Sequence, residues 1–233
     1  MLKWFLTLLR AEYHLQGGDK MPIEIPKDLV HIQTTFEEYE IYKELSERRV
    51  YLSREIASVG YEDGVNEYTS TINQIVKFII DCNREDKDKP VNERTAIKLY
   101  IDSPGGDIGE GLALISIMEI SKTPIYTINV GEWSSMAFLI GIAGHKRFSL
   151  PYSTFLLHEG TSFAGGATNK VQDRVKFDER LETQIIKPHV LSHGNMSATD
   201  YDALTRVEYY MLPEDALEKG FIDEIVNDID AIL

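Results

Sequence analysis

Two adjacent serines, Ser134 and Ser135, interrupt the otherwise apolar run GEWSSMAFLIGIAG (131–144). A serine hydroxyl is a poor nucleophile until a base, such as histidine, takes its proton. The oxyanion that then develops needs fixed N–H donors, which a glycine turn or a helix start can supply. The chain offers a candidate for each part: the serine pair, the turn Ser103-Pro104-Gly105-Gly106, and His158 at the end of TFLLH (154–158). Each also has a plainer reading. Ser134 or Ser135 could merely N-cap a helix, Gly105 and Gly106 could only permit positive φ in a turn, and His158 could be a hydrogen-bonded core histidine.

The elements that must position these residues follow from the hydrophobic pattern. AIKLYID (96–102), PIYTINV (124–130) and TFLLH (154–158) read as strands, and the three chemical features lie at their carboxyl ends. In open α/β sheets sites collect there, beside helix N-termini. YEIYKELSERR (39–49) reads as a short helix feeding the strand VYLS (50–53). Tyr68, Ile72, Ile75, Val76 and Ile79 share one face of a helix within 65–82. The polar run 83–95 reads as a surface loop. Helices are expected from the SPGG turn to about Ile120, over the apolar run 136–143, and over 168–186, where Val171, Val175, Leu181 and Ile185 recur at helical spacing. Pro188 should end or kink that last helix, and FIDEIV (221–226) reads as a closing strand. Strand–helix–strand alternation implies an α/β fold with a largely parallel sheet. Residues 1–34, broken by Gly17-Gly18, Pro22 and Pro26, read as an irregular arm, and 35–233 as one domain without an internal repeat.

Composition narrows the function classes. Net charge is −14, which repels phosphate backbones and anionic lipid, so neither nucleic acid nor a membrane surface is an expected partner. GGDIGEG (105–111) only imitates the dinucleotide fingerprint, and no nicotinamide cofactor is expected. The lone Cys82 cannot form an internal disulfide and reads as a small buried residue near a helix end. A zinc site would have to draw on the six histidines (His14, His31, His145, His158, His189, His193) and carboxylates, and none of them forms an HExxH motif, so no metal is expected. The opening MLKWFLTLLR has too short an apolar stretch for a secretory signal and lacks a cleavage site. Elsewhere nothing approaches the ~18 apolar residues of a membrane span. A cytoplasmic location is expected.

The segment LYIDSPGGDIGEGLALISIMEISKTPIYTINVGEWSSMAFLIGIAGHKRFSLPYSTFLLH (99–158) resembles the central region of the ClpP family, the proteolytic subunits of ATP-dependent Clp proteases. YEIYKELSERRVYL (39–52) resembles the family's N-terminal helix and first strand, and MLPEDALEKGFIDEI (211–225) its C-terminal segment. The resemblance implies the crotonase-like ClpP fold of repeated β-β-α units, with a protruding handle helix at 168–186. It implies a serine endopeptidase with Ser135 as nucleophile, Ser134 in support, His158 as general base, and Gly106 and Met136 N–H groups as the oxyanion hole. Met136 also reads as a helix start, where free donors favour an anion. Gly105 and the segment Gly160, Thr161, Ser162 and Phe163 fall where the family docks an extended substrate strand. The acid position falls on Glu208 where the family has aspartate; Asp200 and Asp202 are the fallback acids, and a solvated glutamate is the plain alternative.

The chain departs from the family pattern at several points. Trp133 replaces a small residue beside the nucleophile, Glu159-Gly160 replaces glutamine-proline after the histidine, and the loop 83–95 is longer. The resemblance further implies self-association into heptameric rings stacked as a tetradecamer, and a AAA+ Clp ATPase that feeds in unfolded polypeptide. ATP serves that ATPase, and the proteolytic subunit itself takes no cofactor. The rival readings are a catalytically silent ClpP-like subunit of a mixed ring, a crotonase-fold acyl-CoA enzyme, and a membrane protease with a lysine base.

Overall fold

Residues 43–57, 72–161 and 164–233 are described by a computed structural model of the chain. The molecule divides into two units, Met1–Glu47 and Arg48–Leu233. Of the first, the described part is a helical turn over 43–46, closed by the Glu47 N–H donating to the Lys43 carbonyl at 3.0 Å. The arm expected over 1–34, and the starts of the helices expected at 39 and 65, lie outside the described residues.

In the second unit, seven strands among the described residues form one sheet. Strands β1 (Arg49–Leu52), β2 (Ile97–Ser103), β3 (Ile125–Ser134), β4 (Lys146–Ser149) and β7 (Glu224–Ile225) run parallel in the order β1-β2-β3-β4-β7. β5 (Thr154–Leu157) pairs parallel with the far end of β3, and β6 (Tyr209–Met211) pairs antiparallel with β5. The helices are α1 (Ile72–Glu85), α2 (Ile108–Ile120), α3 (Met136–Ile142), α4 (Thr168–Leu181), α5 (Lys187–Ser192), α6 (Ala198–Leu204) and α7 (Pro213–Glu218). Strand–helix alternation thus gives the mixed α/β sheet architecture expected from the sequence.

Alternation along the strands separates two apolar faces, because successive side chains point to opposite sides of a sheet. Leu99 and Ile101 join the main core with Ile75, Ile79, Leu114, Met118, Phe138 and Ile140 from α1, α2 and α3. Tyr100 and Ile128 face the other way, against Phe148, Val226 and Ile232. There the Tyr100 hydroxyl donates to the Ile232 carbonyl at 2.5 Å, so the C-terminal residues cover that face.

Several elements differ from the sequence expectation for identifiable reasons. β3 runs on to Ser134 instead of stopping at 130, because its second half finds a new partner in β5. The short strands β4 and β6 carry too little alternation to be read from sequence. The polar run 83–95 is partly helical: α1 continues to Glu85, and a 3-10 turn follows at Val91–Glu93. Asp86, inside that run, is fully buried. Its carboxylate accepts from Arg48 at 2.9 Å, from Lys89 at 2.9 Å and from the Thr123 hydroxyl at 3.1 Å. The hydrogen bonds from Arg48, outweighing burial, hold the Asp86 carboxyl well below the usual carboxylate range.

Pro188 does not end the long helix. A π-turn over Glu182–Ile186 joins α4 to α5, and the Lys187 N–H reaches back to the Glu182 carbonyl. The wider turn comes just ahead of Pro188, which falls in the first turn of α5. None of the α4 residues is buried, and Val175 and Phe177 stand about half exposed.

Candidate active site

The site is built on the branching of β3. Its first half, Tyr126–Asn129, pairs with β4, and its end, Glu132–Ser134, pairs with β5. Between them Gly131 lets the Asp102 carboxylate come against the backbone: a Cβ at Gly131 would lie 2.1 Å from Asp102 Oδ1. The Glu132 N–H donates to the same oxygen at 3.0 Å. Buried Asn129 completes the fork, its Nδ2 donating to the Thr154 carbonyl at 2.9 Å and its Oδ1 accepting from the Gly131 N–H at 3.1 Å.

Ser135 stands between β3 and α3 with φ 55° and ψ −121°. These angles are close to the first central position of a type II′ turn, which glycine favours. The serine is therefore strained, and its side chain makes no cap hydrogen bond to α3, so the N-cap reading does not hold for it. Its N–H donates to the Leu156 carbonyl of β5 at 2.9 Å. Ser134, the neighbour expected in support, turns its hydroxyl to Glu132 Oε2 at 2.9 Å.

The glycine turn presses against this serine. A Cβ at Gly105 would lie 2.6 Å from the Ser134 carbonyl oxygen, 2.8 Å from Met136 N and 2.8 Å from Ser135 Cβ. Gly105 and Gly106 have φ of 93° and 141°, so both fit only without a side chain. Ile56 pins the turn from outside: its N–H donates to the Gly105 carbonyl at 2.7 Å, and its carbonyl accepts from the Asp107 N–H at 2.6 Å. Asp107 then caps α2 through the Glu110 N–H at 2.9 Å. On the other side of Ser135, Met136 is the first residue of α3, where a backbone N–H has no partner within the helix.

His158 leaves the end of β5, two residues beyond the Leu156 carbonyl that holds Ser135. Its side chain is 25% exposed, so it is not a core histidine. The next residue is tied to the segment after α6 by the Glu159 N–H donating to the Thr205 carbonyl at 2.8 Å. That segment leads to Glu208, whose Oε1 lies 4.0 Å from His158 Nδ1. This is ion-pair range and longer than a hydrogen bond. The other carboxylate oxygen of Glu208 accepts from the Tyr210 hydroxyl at 2.6 Å.

The fallback acids are engaged elsewhere. Asp200 serves the N-cap of α6 with Ser197, and Asp202 pairs with Lys187. Trp133 points away from the site into the core, edge-on to Phe155 and flat against Gly141, where a Cβ would lie 2.3 Å from its ring. Gly160 and Thr161 lie exposed beyond His158, and Ser162 and Phe163 fall outside the described residues. The Cys82 thiol is buried in the main core, and that burial pushes its pKa up to about 12.

A pinned double-glycine turn, a strained serine and a histidine within ion-pair range of a carboxylate thus lie at the carboxyl ends of β2, β3 and β5 respectively. A family model described as Clp protease matches residues 33–228. The chain belongs to the Clp protease family. Curated relatives agree. The chain is 28% identical over 192 residues to the ATP-dependent Clp protease proteolytic subunit of Lactococcus lactis subsp. cremoris, covering 81% of this chain and 88% of that protein. It is 29% identical over 191 residues to the protein of the same name from Streptococcus gordonii, covering 81% and 89%. The Streptococcus sanguinis protein of that name is 28% identical over 192 residues, covering 81% and 90%. Membership of the Clp protease family supports a peptidase function, and the fold is the mixed α/β arrangement that goes with it. Among the described residues, no helix is long and apolar enough to cross a membrane.

Proposed function

We infer that this chain is a serine-type endopeptidase subunit with Ser135 as nucleophile, His158 as general base and Glu208 as the acid that orients it. The observation that carries the reading is the contact of Gly105 with Ser134, Ser135 and Met136, which brings the glycine turn and the α3 start to the two sides of one strained serine. In the reaction, Ser135 Oγ attacks the peptide carbonyl carbon as His158 takes its proton. The N–H groups of Gly106 and Met136 hold the oxyanion. His158 then returns the proton to the leaving amine, and water, deprotonated by the same imidazole, releases the acyl-enzyme. Gly105, Gly160 and Thr161 line the path of an extended peptide, which pairs through main-chain groups.

The same reading makes the substrate an unfolded polypeptide, cut inside a chamber formed by two stacked heptameric rings and delivered by a AAA+ Clp ATPase in the cytoplasm. ATP is used by that ATPase, and the proteolytic subunit needs no cofactor. The unburied α4 supports a handle role, because Val175 and Phe177 stand about half exposed on it.

A fluorophosphonate probe tests the assignment. Labelling of Ser135, lost in Ser135→Ala and His158→Ala while assembly is kept, is the expected result; an unchanged label in Ser135→Ala overturns it. One second reading has an observation in its favour. The 4.0 Å separation of His158 and Glu208, with Glu208 bonded to Tyr210, suits a silent subunit that depends on a partner for activity. Absence of label on the homo-oligomer, with labelling of a partner subunit in a mixed ring, would select that reading.

A further inference from the structure

Away from the serine, at the base of the long helical rod, Glu119, His189 and His193 offer ligand atoms that all lie within 4.8 Å of one another. Glu119 comes from the last turn of α2, His189 from α5 and His193 from the residue that ends α5. The two histidines are four apart, and on a helix residues i and i+4 are neighbours on one face. Their rings lie with centroids 4.4 Å apart.

The hydrogen bonds set the tautomers. His189 Nε2 sits 2.9 Å from the Leu139 carbonyl, which can only accept, so that nitrogen carries the proton. In the neutral ring, Nδ1 then bears the lone pair, and it faces Glu119 Oε1 at 3.1 Å. His193 repeats the pattern: its Nδ1 donates to the His189 carbonyl at 2.8 Å, which leaves Nε2 with the lone pair. Metal-binding histidines characteristically donate their other ring N–H to a backbone carbonyl or carboxylate in this way.

His189 is buried and Glu119 about half exposed, so the Nδ1 lone pair of the neutral ring and the Glu119 carboxylate meet as two acceptors at the edge of the core. A cation resolves that contact. The 3.1 Å spacing of that pair also fits: metal–nitrogen and metal–oxygen bonds of about 2.0–2.1 Å at a tetrahedral angle separate two ligand atoms by roughly 3.3 Å.

We propose that Glu119, His189 and His193 form a binding site for one divalent transition-metal ion of the zinc type. Two imidazoles and one carboxylate select zinc, cobalt, nickel or copper over magnesium or calcium. Half-exposed Glu119 leaves one position open to water. The ion clamps the end of α2 to the base of the rod. The Leu139 carbonyl that orients His189 belongs to α3, the helix that begins beside Ser135, so the clamp adjoins the catalytic helix.

The test uses the untagged full chain, stripped with chelator and titrated with zinc chloride by calorimetry and with cobalt chloride by visible absorption. The expected result is one zinc per chain with a micromolar or tighter Kd, and a cobalt spectrum of four-coordinate type. Glu119→Gln and His193→Ala lie at exposed or half-buried positions and preserve the core. Each should weaken zinc binding at least tenfold, while His158→Ala leaves it unchanged. Zinc should also raise the Tm of the wild type and of His158→Ala, but not of the two ligand variants. No zinc bound by the wild type, or equal affinity in Glu119→Gln and His193→Ala, would mean that His189 and Glu119 are only an ion pair, and overturns the site. Loss of zinc in His158→Ala alone would place the ion at the other histidine and overturns it equally.

Discussion

At Ser135 the backbone and the side chain make opposite demands. The angles suit glycine, whereas the proposed chemistry needs a hydroxyl at this sharp turn. Strain of this kind is worth on the order of 1–3 kcal/mol. Ser135→Gly should therefore unfold at a higher denaturant concentration than Ser135→Ala, although both are inactive. Equal midpoints would show that the turn is unstrained. Gly105 carries the complementary demand. Gly105→Ala would drive a methyl group against Ser134 O and Met136 N, so it should abolish peptidase turnover and lower the Tm. Glu208 is a gentler case. Its carboxylate is 59% exposed and 4.0 Å from His158, and exposed ion pairs are worth about 0.2–1 kcal/mol. Glu208→Gln should then lower kcat by only about two- to fivefold. A loss of a thousandfold or more would show instead that the acid is fully engaged during turnover.

Among the elements, those with long apolar patterns were legible and those defined by partners were not. The strands read at 96–102 and 124–130, found at Ile97–Ser103 and from Ile125, were legible to within a residue at their starts, as were the helices that follow them and the placing of Ser135, His158 and the glycine turn at strand ends. The extension of β3 to Ser134 was not, because it depends on pairing with β5 and, past a bulge, with the end of β2. The burial of Asp86 was also hidden, since NREDKDK looks like any solvated run until the fold brings Arg48, just before β1, onto it. Removing one partner of a buried pair costs about 3–5 kcal/mol, so Asp86→Ala should lose stability on that scale in urea unfolding. The depressed Asp86 pKa has a definite sign. Its contribution is complete above the unfolded carboxylate value of about 3.9 and is lost as pH falls toward the lower folded value. The wild type should therefore lose stability more steeply below about pH 4 than Asp86→Asn does. At the helical rod, the HxxxH spacing of His189 and His193 was visible in the sequence, but Glu119, 70 residues earlier, was joined to it only by the fold.

On the scale of the whole molecule, charge and the bare face of α4 act against each other. A chain carrying −14 repels its copies, and that repulsion is screened by salt. Assembly should accordingly strengthen with ionic strength in sedimentation velocity. Phe177→Glu, at a half-exposed position, should leave the fold of the single chain intact while breaking the larger particle. An unaltered particle would remove α4 from the interface. The arrangement around β5 reaches further. His158 is held by a strand whose other edge is β6, and by the Glu159–Thr205 bond, so its place depends on residues up to Met211. On the ribosome, the serine and its glycine turn are made long before the segment that sets the base. On the proposed reading, a nascent chain consequently has no activated serine until the residues up to Met211 have been made and folded onto β5, and it is inert toward the unfolded chains around it until then.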